Sequence, residues 1–591
     1  SYIVQKDQNM TNQGVYMNPL IPVYLFPRGD NFDNYRSFER YNEASKLMEQ
    51  FWSSDLEGDL RAQNPYWINY RNLRNNDKKR YMLSLSASYE ILDWLNVAGR
   101  VRIDNSNNLY TQKLYASTNT TLTEGGSKGH YTEARTYDTQ TYADVMVNID
   151  KTFAEDYSLV ANIGASINHI GTDTFTYGGP IQENGLANVF NVFDLDDVLK
   201  RATKEGWTDE TQSVFASVEL GWKHSLFLTV TGRNDWASQL AGSSQKSFFY
   251  PSVGLSFVPT GFWDMGALSY LKIRGSIASV GMPFPRFLTI PTYEYDATNK
   301  IWKDKTHYPI GDLKPERTLT YEVGTEIRLW NDLSINLSWY LADTYNQTFD
   351  PLLAPSSGYT TIYLQTGSVR NTGVEASVGY NHTWRDFTWD SNFTFTWNKN
   401  EIMELAGNAK NPVTGKELGI TELNVKGLGK VKYILKKGGT LGDLYTSSDL
   451  QYDEKGYVKV DDTGQVILTD DGENVRLGSV FPDYNLAWRN DFSWKGLHLG
   501  LLFSGRIGGI CYSATQANLD YYGVSKASAD ARDAGGILLN GRQRVDAQKW
   551  YQTIGANSGL PQYYTYDATN FRLQELSIGY TLPAKWFRNV C

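Results

Sequence analysis

The chain has 591 residues, a formal net charge of −9 and an aromatic content of 14%. The acidic balance and the lack of a basic stripe argue against a nucleic-acid binder. No run of about 18 apolar residues is present, so helical membrane spans are excluded. The two cysteines, Cys511 and Cys591, give neither a disulfide framework nor the spacing of a metal site.

The first long stretch, residues 13–67, is rich in Pro, Gly and Asp. This composition predicts a folded surface loop with a short helix over residues 42–52. Pairs of alternating strands follow, most of them joined by a tight turn. The pairs span residues 79–105, 141–168, 213–235, 248–281, 321–345, 369–400 and 484–508, and a last strand starts at Phe571.

The pair at residues 321–345 has the clearest pattern. At period two, apolar residues such as Tyr321 and Val323 point one way, while Glu322 and Glu326 point the other. Each arm is about 10 residues long, which crosses a bilayer core when the strand is tilted. A hairpin of a soluble β-sandwich has the same alternation, so this pair alone leaves both folds open.

The connections between the strands favour a membrane protein. The turns within pairs are short, whereas the connections between pairs are long and polar, as in residues 401–483 and 510–569. A sandwich with Greek-key connections would mix the two lengths. Tryptophans such as Trp94, Trp222 and Trp330 lie at strand ends, as in interfacial girdles. The sequence therefore predicts an all-β fold: a large antiparallel transmembrane β-barrel with short periplasmic turns and long extracellular loops, forming one domain over residues 1–591.

The number of strands bears on how much of the barrel is present. Seven pairs and one terminal strand give about fifteen strands, and we expect one or two more near Ser1 and Trp67. Bacterial barrels usually have even strand numbers, and no signal peptide precedes the first strand. We therefore expect the chain to be a fragment.

Several stretches, in this order and spacing, resemble a known family: the SusC/RagA-type TonB-dependent transporters of the Bacteroidetes outer membrane. They are YLFPRGDNF at Tyr24, QNPYW at Gln63, FFYPSVGLSF at Phe248, LKIRGSIASVG at Leu271, LKPERTLTYEVGTEI at Leu313, VRNTGVEASVGYN at Val369, GDLY at Gly442, LGSVFPDYNLAWRNDFSWKGLHLGLLFSGRIGG at Leu477, and ATNFRLQELSIGYTLP at Ala568.

The resemblance implies a barrel of about 22 strands in the outer membrane of a Gram-negative bacterium. It implies that the fragment lacks an N-terminal plug, a TonB-contacting segment and the last strand. The family takes up oligosaccharides or peptides with a SusD-like surface lipoprotein as a lid, is energised by the TonB complex, and often forms dimers of transporter–lipoprotein pairs in the outer-membrane lipid. A siderophore or cofactor receptor, and a surface β-sandwich binding protein, are the alternatives.

Neither a catalytic nor a metal site is expected. The six histidines are scattered, and Glu322 and Glu326 lie roughly 13 Å apart on one strand face, too far for a glycosidase pair. Members of the family often carry a calcium-type loop before the LGSxFPD stretch, but here its ligand spacing is broken. We interpret the acidic residues of this loop as solvated and expect no cofactor; they are Asp461, Asp462, Asp470, Asp471 and Glu473.

Aromatic residues in the long loops are the candidates for substrate binding. Sugar rings stack on aromatic side chains flanked by polar groups, and peptides bind through backbone hydrogen bonds beside apolar pockets. Loop packing and contact with a lid are the other roles open to these residues. The candidates are Trp52, Tyr66, Trp67, Trp302, Tyr359, Tyr363, Tyr521 and Tyr522.

Overall fold

The computed structural model describes most of residues 1–583. The residues left out of the description are 12, 13, 15, 54–61, 290–292, 297–300, 305, 306, 309–312, 350–360, 406–415, 417–419, 470, 471 and 584–591. No helix in the described part of the chain is long and apolar enough to span a membrane.

The described residues form mostly strands. In chain order these are β1 (Tyr2–Gln8), β2 (Glu39–Asn42), β3 (Leu47–Gln50), β4 (Asn72–Leu92), β5 (Leu95–Tyr115), β6 (Gly129–Phe153), β7 (Tyr157–Pro180), β8 (Arg201–Trp222), β9 (Leu226–Ala237), β10 (Phe248–Phe257), β11 (Leu268–Met282), β12 (Tyr293–Asp296), β13 (Ile301–Asp304), β14 (His307–Tyr308), β15 (Glu316–Leu329), β16 (Leu333–Phe349), β17 (Thr361–Ile362), β18 (Leu364–Trp384), β19 (Phe387–Glu404), β20 (Glu422–Leu428), β21 (Val431–Lys436), β22 (Asp443–Thr446), β23 (Val475–Ser479), β24 (Tyr484–Trp494), β25 (Leu497–Ile507), β26 (Ile510–Tyr512), β27 (Ile537–Leu539), β28 (Gln543–Val545), β29 (Thr565–Asp567) and β30 (Asn570–Tyr580). The helices are α1 (Leu20–Tyr24), α2 (Pro65–Tyr70), α3 (Ala514–Tyr521), α4 (Lys526–Asp533) and α5 (Ala547–Ile554).

Sixteen of these strands form a single sheet. Its order is β1-β4-β5-β6-β7-β8-β9-β10-β11-β15-β16-β18-β19-β24-β25-β30, so each strand lies beside the next sheet strand along the chain. All the pairs are antiparallel, which is the up-and-down wall of a large β-barrel. The predicted all-β fold, its seven strand pairs, the last strand and an extra strand near Ser1 are confirmed.

The hairpin of β15 and β16 shows which way the sheet faces. Val323 lies directly opposite Trp339 on one face, and on that face Val323 is 55% exposed and Leu337 44%. On the other face, Arg274 of β11 donates a hydrogen bond to Glu322 at 3.0 Å. Apolar side chains exposed on one face and paired charges on the other fit a wall between lipid and a watery lumen.

Short turns gather at one end of the sheet, which we name the turn end, and long connections gather at the loop end. The connection between β10 and β11, residues 258–267, is longer than the other turns and includes a 3-10 turn at Pro259–Gly261. The strands also run farther toward the loop end than predicted, to 25 residues in β6 and 24 in β7. The loop-end halves of β6 and β7 carry polar side chains on both faces, such as Asp173 on one and Thr174 on the other, so the alternation that predicted these strands fades there.

The prediction of a helix over residues 42–52 is wrong, because this stretch forms the hairpin of β2 and β3. The Asn42 side chain accepts a hydrogen bond from the backbone of Ala44 and so starts a turn. Glu39 is held by Arg71 at 2.8 Å, which ties the hairpin to the end of α2. Trp67, where an extra strand was expected, lies in α2.

The three longest connections pack on each other at the loop end. Leu450 and Val466, which lie between β22 and β23, share an apolar core with residues of the connection that follows β25. Those residues are Trp550, Ile554 and Leu560. Leu519 and Val524 of that same connection pack against the loop before β4. We call this packed unit, residues 16–71, 405–483 and 508–569 as far as they are described, the loop body.

Candidate functional site

A pocket of about 850 Å³ opens where the loop body meets the barrel wall. We call it the mouth pocket. One side is the small sheet β20–β23, which we call the loop sheet, and the other is formed by the loop ends of β25 and β30 together with β26. Because these strand ends surround the lumen, the pocket lies at its loop-end opening.

Two arginines supply the charge of the mouth pocket. Arg506 lies opposite Asn570 across β25 and β30, and Arg572 follows two residues later on the same face. The Nη2 atom of Arg506 donates to the carbonyl of Val480, while its Nε is buried without a hydrogen-bond acceptor among the described residues. Arg572 forms no ion pair with a described carboxylate, and no lining residue in the described chain is acidic.

The remaining wall is mostly apolar. Leu428, Val431 and Leu444 come from the loop sheet, and Ile510 comes from β26. Tyr512 completes this wall, and burial raises the pKa of its phenol. The pocket therefore pairs a neutral, apolar side with a cationic one.

A buried carboxylate fixes the loop sheet that forms this wall. Asp443 is 1% exposed and accepts hydrogen bonds from Arg476 at 2.9 Å and from the hydroxyl of Thr440 at 2.7 Å. Burial alone would raise the pKa of Asp443, but these hydrogen bonds outweigh it and hold that pKa below its ordinary value. Asp443 also lies opposite Ser479, so the GDLY and LGSVFPD stretches meet in β22 and β23.

Two consecutive glycines attach the last long connection to the wall. Gly508 and Gly509 have φ values of +78° and +80°, a left-handed conformation that other residues adopt only with strain. A Cβ on Gly508 would lie 2.3 Å from Oδ2 of Asp483. The chain therefore makes this close turn only with glycine, immediately before Ile510, which lines the mouth pocket.

A second, more polar pocket of about 780 Å³ lies among the helices α3, α4 and α5. We call it the helical pocket. Tyr521, Tyr522 and Tyr551 contribute rings to its lining, and Arg532 and Gln548 contribute polar groups. The rings of Tyr521 and Tyr522 meet edge to face at 4.9 Å. Two of the predicted substrate-binding residues thus line one cavity.

The predicted aromatic residues of the first loop lie in or beside its core. Trp67 is fully buried and donates to the hydroxyl of Thr118 at 2.9 Å. Trp52 is buried among Phe26 and its neighbours. Tyr66 is half-buried, with its ring 6.2 Å from that of Phe32. These three side chains hold the loop together.

The other predicted candidates are spread over the loop end. Trp302 is 70% exposed, with its ring 5.1 Å from that of Tyr295. Tyr363 is half-buried between β17 and β18. Tyr359 lies outside the described residues. Neither Trp302 nor Tyr363 lines the mouth pocket.

The acidic stretch before β23 forms turns. The Asp461 carboxylate accepts hydrogen bonds from the hydroxyl of Thr463 and from the backbone of Gln465 and Thr463, and these bonds lower its pKa. Among the residues that the structure describes, no group of three or more His, Cys, Asp or Glu could hold a metal ion. Asp470 and Asp471 lie outside that part of the chain.

The charged residues of the mouth pocket were not among the predicted candidates. Arg506 and Arg572 fall within the recognised stretches LLFSGRIGG and ATNFRLQEL, at strand positions that alternation assigns to the lumen. The positions of the two arginines in the alternating strand pattern were the information that the sequence offered. It could not indicate that loop residues 427–444 would close over both arginines.

Comparison with known proteins identifies the family. The family described as TonB dependent receptor-like, beta-barrel matches residues 22–501. The chain belongs to this family. It is a SusC-like TonB-dependent receptor barrel of the outer membrane, so the loop end is extracellular and the turn end periplasmic.

Similar proteins cover most of the chain. TonB-dependent receptor P3 of Formosa agariphila is 23% identical over 88% of this chain and 53% of its own length. TonB-dependent receptor SusC of Bacteroides thetaiotaomicron is 22% identical over 66% of this chain and 40% of its own length. The chain thus spans about half the length of the curated relatives it matches.

The fold agrees with that of a solved structure. The RagAB peptide transporter structure matches with a TM-score of 0.71 and 18% identity, over 92% of this chain and 60% of the other. The two chains therefore share this fold.

Proposed function

We propose that this protein imports a bulky nutrient, a peptide or an oligosaccharide, across the outer membrane of a Bacteroidetes-type bacterium. The observation that carries the proposal is the loop body, which packs over the extracellular opening of the lumen and holds pockets on and beside it. Such a body can bind a ligand before it enters the barrel. Energy comes from the TonB complex, and the role is transport rather than catalysis.

In this proposal a SusD-like surface lipoprotein closes over the loop body, and two such pairs form a dimer. The relatives named SusC and RagAB support a transporter of this type. Residues 1–591 act as one barrel domain that supplies the pore wall and the docking loops, without a metal or other cofactor. The exposed aromatic residues Trp302 and Tyr522, together with the half-buried Tyr521, contact the nutrient or the lid.

Uptake and partnership can be tested together. The full-length protein, tagged and purified in detergent, is expected to bring down a surface lipoprotein encoded beside it. Uptake of peptide or oligosaccharide by the intact cell is expected to stop when TonB is removed. Unchanged uptake without TonB would contradict the proposal, and TonB-dependent uptake of iron chelates alone would favour a siderophore receptor.

A further inference from the structure

The mouth pocket combines two features that together specify a ligand. It has two arginines and no acidic residue in its described lining, and the rest of its wall is mostly apolar. We infer that the mouth pocket binds a carboxylate carried next to an apolar group, the chemistry of the C-terminal residue of a peptide. This inference rests on the proposed function only in assigning the bound group to a transported nutrient.

The arginines are placed to act on one group. Arg506 and Arg572 are diagonal neighbours on the lumen face of β25 and β30, and such neighbours lie about 7–8 Å apart. Long side chains at that separation can converge on a single carboxylate. Arg guanidinium groups bind carboxylates through paired hydrogen bonds of fixed geometry.

The two groups also have donors to spare. On the neighbouring strand β24, Arg489 is already paired: it contacts Asp491 at 2.7 Å and also reaches Glu575. In the mouth pocket, by contrast, Arg506 uses Nη2 on the Val480 carbonyl and leaves Nε buried and unpaired within the described structure. Arg572 is exposed and has no hydrogen-bond or ion-pair partner among the described residues, so its guanidinium group can bind an anionic ligand without first losing a partner.

The apolar wall determines which chemical group of the ligand can lie next to the bound carboxylate. Leu428, Val431 and Leu444 are held against the opening by the loop sheet, with Val431 and Leu444 buried. An apolar side chain beside the carboxylate would lose water against them. A sugar acid carries hydroxyl groups instead, and these would lose hydrogen bonds to water against the same wall.

Cys511 provides a direct reporter, since it is exposed and lines the same pocket. The experiment uses the full-length protein in detergent with Cys591→Ser, and Cys511→Ser as the blank. The rate of maleimide labelling is measured with a tetrapeptide ending in leucine, with the same peptide as its C-terminal amide, and with a uronic-acid trisaccharide. The free acid is expected to slow labelling at least tenfold, and the other two ligands not at all.

Variants separate the arginines from the rest of the wall. Arg506→Gln and Arg572→Gln are each expected to raise the half-protecting peptide concentration at least tenfold. Arg489→Gln, on the same wall but already paired, is the matched control and should change it less than twofold. Gel mobility with and without heating checks that every variant still forms a folded barrel.

Three results would overturn the inference. Equal protection by the free acid and the amide would show that the pocket does not recognise the carboxylate. Equal protection by the trisaccharide would show that it does not require an adjacent apolar group. Absence of protection by any ligand at millimolar concentration would show that the mouth pocket is not a binding site. Labelling measures binding without TonB or a lid, so protection with failed uptake would refute the transport proposal alone.

Discussion

A lysine on the lipid face should cost far more than one on the lumen face of the same strand. Leu337 and Asn336 are neighbours on β16, and both are exposed in the isolated chain. Leu337 faces outward beside Thr325, whereas Asn336 lies opposite Glu326 on the lumen side. Leu337→Lys therefore puts a charge into lipid, and Asn336→Lys puts one beside a carboxylate.

The depth of Leu337 in the bilayer sets the size of the expected loss of stability. It lies four residues beyond the start of β16 at Leu333, or about 13 Å along a strand that rises about 3.3 Å per residue. With a tilt of about 40°, this is about 10 Å into an apolar band about 25 Å tall, close to its middle. A lysine there should destabilise the barrel by about 2–4 kcal/mol, and Asn336→Lys by less than about 1 kcal/mol.

The assay is reversible unfolding of the full-length protein in lipid vesicles, followed by urea titration and by heat-dependent gel mobility. Leu337→Lys is expected to lower the free energy of unfolding, and Leu337→Ile serves as the conservative control. Equal losses for Leu337→Lys and Asn336→Lys would show that the faces of β16 are assigned wrongly.

Further predictions concern the loop body. Asp443→Asn should lower loop-sheet stability by about 1–2 kcal/mol, because Arg476 loses its carboxylate while half exposed. In the parent protein, hydrogen-exchange protection of β22 and β23 should be constant down to about pH 4 and fall below it. The reason is that the lowered pKa of Asp443 contributes stability that is lost only when the carboxylate is protonated. Protection that fell at pH 6 would contradict this. Gly508→Ala should speed proteolysis of residues 510–569 without altering the heat-dependent mobility of the barrel, because the alanine is strained at positive φ. Trp67→Ala should destabilise the first loop by about 3–5 kcal/mol in the same proteolysis assay, whereas Trp302→Ala should leave it unchanged and weaken nutrient or lid binding; similar proteolysis of the two variants would refute the packing assigned to them.

The sequence predicted the wall because local chemistry decides it. Period-two alternation placed Val323 and Glu322 on opposite faces, and it located the pair at residues 484–508 that forms β24 and β25. Each of these features depends on neighbours a few positions away, or on the strand directly beside it. A lipid face must be apolar at every second position, so the barrel part of the chain had to carry its own signal.

The loop body was decided only by tertiary structure. Residues 42–52 contain helix-forming residues, yet contacts with Arg71 and a local turn make them a hairpin. The mouth pocket joins Arg506 to Val480 and to residues 427–444, which no periodicity links. Loops in water have no lipid to impose a pattern, so their shape follows from long-range packing. The strand face of Arg506 could be read from the sequence. Its hydrogen bond to Val480, and the lack of an acceptor for its Nε among the described residues, were visible only in the fold.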